Sequence, residues 1–72
     1  MAVVDAVEAP VAGTVLRYVR SNGDHVEQDE PVLILESMKM ELEVKSKVAG
    51  TITYKADTGA SVSAGQVIAV VS

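Results

Sequence analysis

The chain of 72 residues has room for one small domain, 1–72, and carries a net charge of −4, with its six Lys and Arg residues scattered along the sequence. Because it shows no basic face, long apolar run or secretion signal, we expect no nucleic-acid binding, no direct membrane insertion and a cytoplasmic location. The absence of cysteine excludes disulfides and thiolate metal sites. Hydrophobic residues make up 49% of the chain and aromatic residues only 3%, so the core must be aliphatic, and the abundant β-branched valine favours an all-β fold.

Short apolar segments separated by Gly and Asx turns predict eight strands. In chain order the predicted strands are 3–7, 14–19, 25–26, 32–36, 40–45, 51–55, 61–62 and 67–71. So small a protein cannot leave long sheet edges open. We therefore predict a flattened eight-strand barrel-sandwich of two four-stranded antiparallel sheets.

The sequence repeats itself once. Val-Ala-Gly-Thr-Val at 11–15 recurs as Val-Ala-Gly-Thr-Ile at 48–52, and the segment 31–36 aligns with 67–72. The offset falls from 37 in the first block to 36 in the second, which we attribute to a one-residue deletion in a turn. A duplication in shared register predicts two half-domains related by an approximate two-fold axis.

The duplication also predicts which side chains face the core. Positions that are apolar in both copies are expected to point inward, and these are Val11/Val48, Val15/Ile52, Val19/Ala56, Val26/Val62, Val32/Ile68 and Ile34/Val70. Positions that disagree are expected outside, as at Leu16/Thr53 and Tyr18/Lys55. In the strand 32–36 the residues that point to either face are apolar, so we expect both faces to be covered in part.

The segment that joins the two copies breaks a local rule. Residues 36–41, Glu-Ser-Met-Lys-Met-Glu, must reverse a strand without Gly, Asn or Pro, although tight hairpins favour such residues because their turns need positive φ. Asp29 and Gly65, by contrast, occupy corresponding positions in the two copies and are residue types that tolerate the left-handed region. We expect both residues to have positive φ. Two large apolar Met side chains also flank Lys39 at a point expected to be exposed. A local rule broken at one place indicates function.

Residues 37–40, Ser-Met-Lys-Met, resemble the Met-Lys-Met motif of biotinyl domains, also called biotin carboxyl carrier domains. The segment 9–15, Ala-Pro-Val-Ala-Gly-Thr-Val, is similar to the opening Ala-Pro-Met-Pro-Gly of that family, and 23–26, Gly-Asp-His-Val, to its Gly-Asp-x-Val turn. The departures are a Val-Ala pair where the family often has Met-Pro, and Asp29 where it often has Gly. No insertion resembles the thumb of some bacterial acetyl-CoA carboxylase carriers.

The resemblance implies a non-catalytic carrier rather than an enzyme. Lys39 would bear biotin through an amide bond, and Met38 and Met40 would help a biotin protein ligase to recognise its target. Met40 is also expected to cap the core in part. The attached biotin would carry a carboxyl group between the sites of a biotin carboxylase and a carboxyltransferase. Because a lysine amine is protonated at neutral pH and no suitable base is apparent nearby, acylation would need the ligase.

Two alternative functions stay open. A lipoyl carrier shares the fold and the lysine hairpin, although lipoyl domains usually show Asp-Lys-Ala at the tip. An unmodified barrel that serves as a docking module is the second alternative. His25, the only histidine, is a weak candidate for a ligand or a base. The acidic residues Asp24, Glu27, Asp29 and Glu30 lack calcium-loop spacing and are expected to form a solvated face, so neither catalytic nor metal-binding residues are predicted.

Overall fold

The computed structural model describes residues 5–72, which contain eight strands. These are β1 (Asp5–Glu8), β2 (Gly13–Tyr18), β3 (His25–Val26), β4 (Pro31–Ser37), β5 (Met40–Lys45), β6 (Gly50–Tyr54), β7 (Ser61–Val62) and β8 (Val67–Val71). One sheet has the strand order β1-β8-β6-β3 and the other β5-β4-β2-β7, and all pairs are antiparallel. The predicted fold is confirmed, and the strand bounds agree to within one residue; the predicted start of the first strand lies outside the described residues.

Reciprocal hydrogen bonds relate the two halves of the chain. The Gly59 N–H donates to the Val15 carbonyl at 2.7 Å, and the Gly23 N–H donates to the Ile52 carbonyl at 2.8 Å. The same exchange recurs in the bonds donated by two further equivalent pairs, Asp29 and Gly65, and Ala9 and Ser46. Equivalent positions of the repeat therefore make equivalent contacts, as an approximate two-fold axis requires.

A β-bulge in β2 is where the two halves differ. Val15 lies opposite Leu35 and Arg17 lies opposite Ile34, so Leu16 has no partner of its own on β4. In the second half, β6 pairs with β8 residue by residue without such a break. The change of offset therefore comes from one extra residue inside a strand, and the predicted deletion in a turn is wrong.

The bulge reverses the side chains that lie beyond it, because alternate residues of a strand face opposite sides. Tyr18, expected outside, is half-buried against the core, while Val19, expected inside, is 48% exposed. Tyr18 stacks on Tyr54 with the ring centroids 3.7 Å apart and an angle of 1° between the ring planes. Each hydroxyl donates to a backbone carbonyl of the opposite half at 2.6 Å, so the pair fastens the two halves together.

Partial burial favours the protonated form of both tyrosines. It raises the pKa of Tyr54 to about 12. It also raises the pKa of Tyr18, where the negative charge of Asp57 acts in the same direction. Both hydroxyls are therefore protonated donors at neutral pH, which suits their hydrogen bonds across the two halves.

The buried core is aliphatic, as the composition predicts. Its members are Val7, Ala9, Val15, Val26, Val32, Leu33, Leu35, Val44, Ile52, Ala56, Val62, Ile68, Ala69 and Val71. The inward predictions are confirmed for Val15/Ile52, Val26/Val62 and Val32/Ile68. The prediction for Val11 is wrong, because this residue lies in the loop after β1 and is 37% exposed.

Strand β4 is buried on both faces, as its continuous apolar sequence predicts. Leu35 belongs to the core, whereas Ile34, only 7% exposed, points to the other face, opposite Arg17 on β2 and Glu43 on β5. Ile34 is therefore buried, as expected, but it lies outside the core cluster, and its equivalent Val70 is only half-buried and also lies outside that cluster. Burial on both sides gives the hairpin that follows β4 a stiff base.

Candidate functional site

The β4–β5 hairpin ends in a tight turn at the sequence motif. Ser37 lies opposite Met40 at the last rung of the ladder, which leaves Met38 and Lys39 as a two-residue loop. Both loop residues have positive φ, 52° for Met38 and 65° for Lys39, as a type I′ turn requires. Residues with a Cβ adopt this backbone at a cost of roughly 1 kcal/mol each. The absence of Gly and Asn from this turn therefore places strain on the backbone of Met38 and Lys39.

The side chains of the motif reach solvent. Met38 is 92% exposed and Met40 is 64% exposed, and Lys39 is exposed between them. Within residues 5–72, the Lys39 amine has no hydrogen bond or ion pair. Met40 lies on the same face of β5 as Leu42 and Val44, because alternate residues of a strand share a face. It is exposed, however, and is not among the residues packed against the core, so the expectation that it caps the core in part is not confirmed.

Acidic side chains flank the hairpin just below its tip. Glu36 and Glu41 lie directly opposite each other on β4 and β5, and like charges in that position destabilise a strand pair. Arg17 Nη2 lies 3.6 Å from Glu41 Oε1, while within the described part of the chain Glu36 has no ion pair. Local strand pairing therefore does not explain this acidic flank.

A shallow groove of about 470 Å³ lies beside the hairpin. It is lined by Ala12, Gly13, Thr14, Glu36, Ser37, Met38, Lys39, Ser61 and Val62. At its base β2 and β4 approach closely, since a Cβ on Gly13 would lie 2.3 Å from the Glu36 carbonyl oxygen. The sequence pattern did not predict this groove, because only the sheet order brings β2, β4 and β7 together, and no local pattern marks that order.

The acidic segment 24–30, which was predicted to form a solvated face, makes ion pairs with nearby basic side chains. His25 Nε2 lies 2.6 Å from Glu27 Oε2, and Arg20 Nε lies 2.6 Å from Glu30 Oε2. Across residues 5–72, no group of three or more His, Asp or Glu side chains is placed to hold a metal ion. The same residues include no helix long and apolar enough to cross a membrane.

The fold and the hairpin motif together match a known protein family. A family model described as biotin-requiring enzyme, covering the biotin/lipoyl class, matches residues 5–71. The chain belongs to the biotin/lipoyl family. The family resemblance inferred from the Met-Lys-Met motif is thereby confirmed.

Relatives of this biotin/lipoyl domain include both biotin and lipoyl proteins. The biotin carboxyl carrier protein of Streptococcus mutans is 39% identical over 62 residues, which cover 85% of this chain and 48% of that protein. The biotinylated protein TB7.3 homolog of Mycobacterium leprae is 39% identical over 67 residues, 92% of this chain and 94% of that protein. The dihydrolipoyllysine-residue acetyltransferase component of the Corynebacterium glutamicum pyruvate dehydrogenase complex is 40% identical over 65 residues, 89% of this chain and 10% of that protein. The domain thus spans about half of the first relative and nearly all of the second.

A solved structure shares the fold of this biotin/lipoyl domain closely. The crystal structure of the Kluyveromyces lactis urea carboxylase aligns with a TM-score of 0.88 and 30% sequence identity. The alignment covers 94% of this chain and 6% of that one. The barrel-sandwich seen here therefore also occurs as a small part of a much larger carboxylase.

Proposed function

We propose that this biotin/lipoyl domain is a biotin carboxyl carrier, not itself an enzyme, and that Lys39 is the residue to which biotin is attached. The observation that supports the proposal is the hairpin tip, where an exposed amine stands on a strained two-residue turn between two exposed methionines. Within residues 5–72 nothing pairs with this amine, so the site fits an acyl group that extends into solvent.

The residues beside Lys39 favour biotin over lipoate. They match the Met-Lys-Met motif of biotinyl domains rather than the usual Asp-Lys-Ala of lipoyl domains. The relative whose length this chain nearly spans is named a biotinylated protein, and the first relative is named a biotin carboxyl carrier protein. A lipoyl carrier is the second candidate, since the acetyltransferase component is 40% identical over the aligned region.

The domain presents the cofactor and leaves the chemistry to others. Because a lysine amine is protonated at neutral pH, we propose that a biotin protein ligase removes a proton from Lys39 and supplies an activated biotin. Formation of the amide removes one positive charge above the carboxylates of Glu36 and Glu41. Attached biotin supplies a ring nitrogen that can carry a carboxyl group. The stiff β4–β5 hairpin keeps the linkage directed outward.

The arm would deliver biotin to separate enzyme sites. The lysine and the biotin chain together form about ten bonds and reach on the order of 12 Å from the backbone. Tethering makes each encounter intramolecular, at effective concentrations of roughly mM. We propose a biotin carboxylase and a carboxyltransferase as these partners, and recognition of Met38 and Met40 by the ligase. The cytoplasmic location and the extent of the domain as 1–72 stay predictions.

Intact-mass measurement after co-expression with a biotin protein ligase tests the proposal. We expect one biotin-sized increment on the wild-type chain, the same increment on the matched control Lys55→Arg, and none on Lys39→Arg. A lipoyl-sized increment with a lipoyl ligase, and none with the biotin ligase, would favour the second candidate. No increment with either ligase would contradict the carrier function and favour a docking module.

A further inference from the structure

Met38 is the most exposed large hydrophobic residue of the described chain, at 92%. We propose that Met38 is an oxidation site and that its conversion to the sulfoxide by a hydroperoxide slows the attachment of biotin to Lys39. The inference rests on the proposed function, because it concerns the same hairpin tip. It adds a reversible modification that would control when the carrier receives its cofactor.

The chemistry needs only an accessible thioether and a peroxide. A sulfur lone pair of Met38 attacks one peroxide oxygen, an S–O bond forms and the O–O bond breaks. The other oxygen leaves and takes up a proton, as water when the oxidant is hydrogen peroxide. The sulfur loses two electrons and the peroxide gains them, so the step is balanced, and methionine sulfoxide reductases reverse it.

The structure distinguishes Met38 from Met40 at this tip. Met38 lies in the two-residue loop, outside the buried core. Oxidation of its sulfur therefore disrupts no packing in the core. Met40 is less exposed, at 64%, and lies in β5 on the row that continues to Leu42. We therefore expect Met38 to be oxidised first and the barrel to remain folded when it is.

Oxidation changes the surface that a ligase must cover to reach Lys39. The thioether of Met38 is apolar and flexible, whereas the sulfoxide is polar and chiral. Burying an unpaired polar group against a partner is unfavourable, so we expect the rate of biotin attachment to fall about tenfold. Biotin that is already on Lys39 would stay, because the amide bond is not affected.

The test compares biotin attachment to the full chain before and after hydrogen peroxide, which is removed before the ligase is added. Peptide mapping follows the oxidation of each methionine, and circular dichroism follows the fold. We expect Met38 to be oxidised ahead of Met40, the rate of attachment to fall about tenfold with the fold unchanged, and methionine sulfoxide reductases to restore the rate.

Matched variants assign the effect, each compared with its own untreated sample. At a peroxide dose that peptide mapping shows to oxidise Met38 but not Met40 in the wild-type chain, treatment should leave the rate of Met38→Leu unchanged and should slow Met40→Leu as much as wild type. An undiminished rate on chains that carry the Met38 sulfoxide, or a Met38→Leu chain that is still slowed, would overturn the inference. An untreated wild-type chain that accepts no biotin would instead contradict the proposed function.

Discussion

The two halves of the barrel meet the same backbone demand with different residues. At the equivalent turns before β4 and β8, the left-handed position holds Asp29 (φ 66°) and Gly65 (φ 83°), both as predicted and both residue types that tolerate it. The hairpin tip joins the halves, so it occurs once, and there the same backbone falls on Met38 and Lys39. Stability therefore explains the choice of residue at the two equivalent turns but not at the hairpin tip.

The largest effect is expected where strands approach each other most closely. A Cβ on Gly13 would lie 2.3 Å from the Glu36 carbonyl oxygen, and one on the equivalent Gly50 would lie 2.7 Å from Val71 Cγ1 and 2.9 Å from the Ser72 carbonyl oxygen. Because backbone blocks the added methyl group at both positions, we expect Gly13→Ala and Gly50→Ala each to lower the free energy of unfolding by about 3 kcal/mol. Urea denaturation measures both, and a variant as stable as wild type would contradict this.

The tip itself should gain stability when its residues are made to suit its backbone. Replacement of Met38 by Asn together with Lys39 by Gly supplies the residues that a type I′ turn favours. We expect the free energy of unfolding to rise by about 2 kcal/mol, while the proposed attachment of biotin is lost. Met38→Asn alone, which keeps the amine, should give about half of that gain. Urea denaturation that shows no gain would mean that the turn carries no strain.

The paired turns should respond in the opposite way. Asp29→Ala places a residue that disfavours positive φ where the backbone requires it, and we expect a loss of about 1 kcal/mol in the free energy of unfolding. Asp29→Gly copies the residue of the second half and should be close to neutral. Thermal or urea unfolding compares the two variants, and an equal loss in both would point to the Asp29 side chain instead of its backbone.

The smallest effect concerns the stacked tyrosines, whose hydroxyls are partly solvated. The pKa of Tyr54 is raised from 10.0 to about 12 in the folded protein, so between these values the folded state holds a proton that the unfolded state has lost. The free energy of unfolding should therefore fall as pH rises from about 10 to 12. Tyr54→Phe should lose its hydrogen bonds at every pH but show a flatter decline in alkaline urea denaturation. An unchanged slope would contradict the assignment.

Local apolar segments and turn residues predicted the eight strands, and the need of so small a protein to cover its sheet edges predicted two sheets. The faces of Tyr18 and Val19 could not be predicted, since one extra residue at Leu16 reverses everything beyond it in β2. Aligning the two copies shows that a residue is extra but not whether it lies in a strand or in a turn. Structure alone located it.

The candidate site also has one part that the sequence predicts and one part that it does not. Met38, Lys39 and Met40 are adjacent in the sequence, so the motif could be recognised and its exposure expected. The groove beside them, with Thr14 and Ser61 in its lining, depends on which strands become neighbours in the sheet. That arrangement is a property of the whole fold and leaves no local pattern.

The proposed function requires that one lysine, selected by its position on the hairpin, receives biotin. Treatment of the purified chain with a biotin protein ligase, followed by fragmentation of its peptides in a mass spectrometer, tests this most directly. We predict biotin on Lys39 and none on Lys45, Lys47 or Lys55. Biotin on another lysine, or on none while the ligase modifies a known substrate in parallel, would contradict the account.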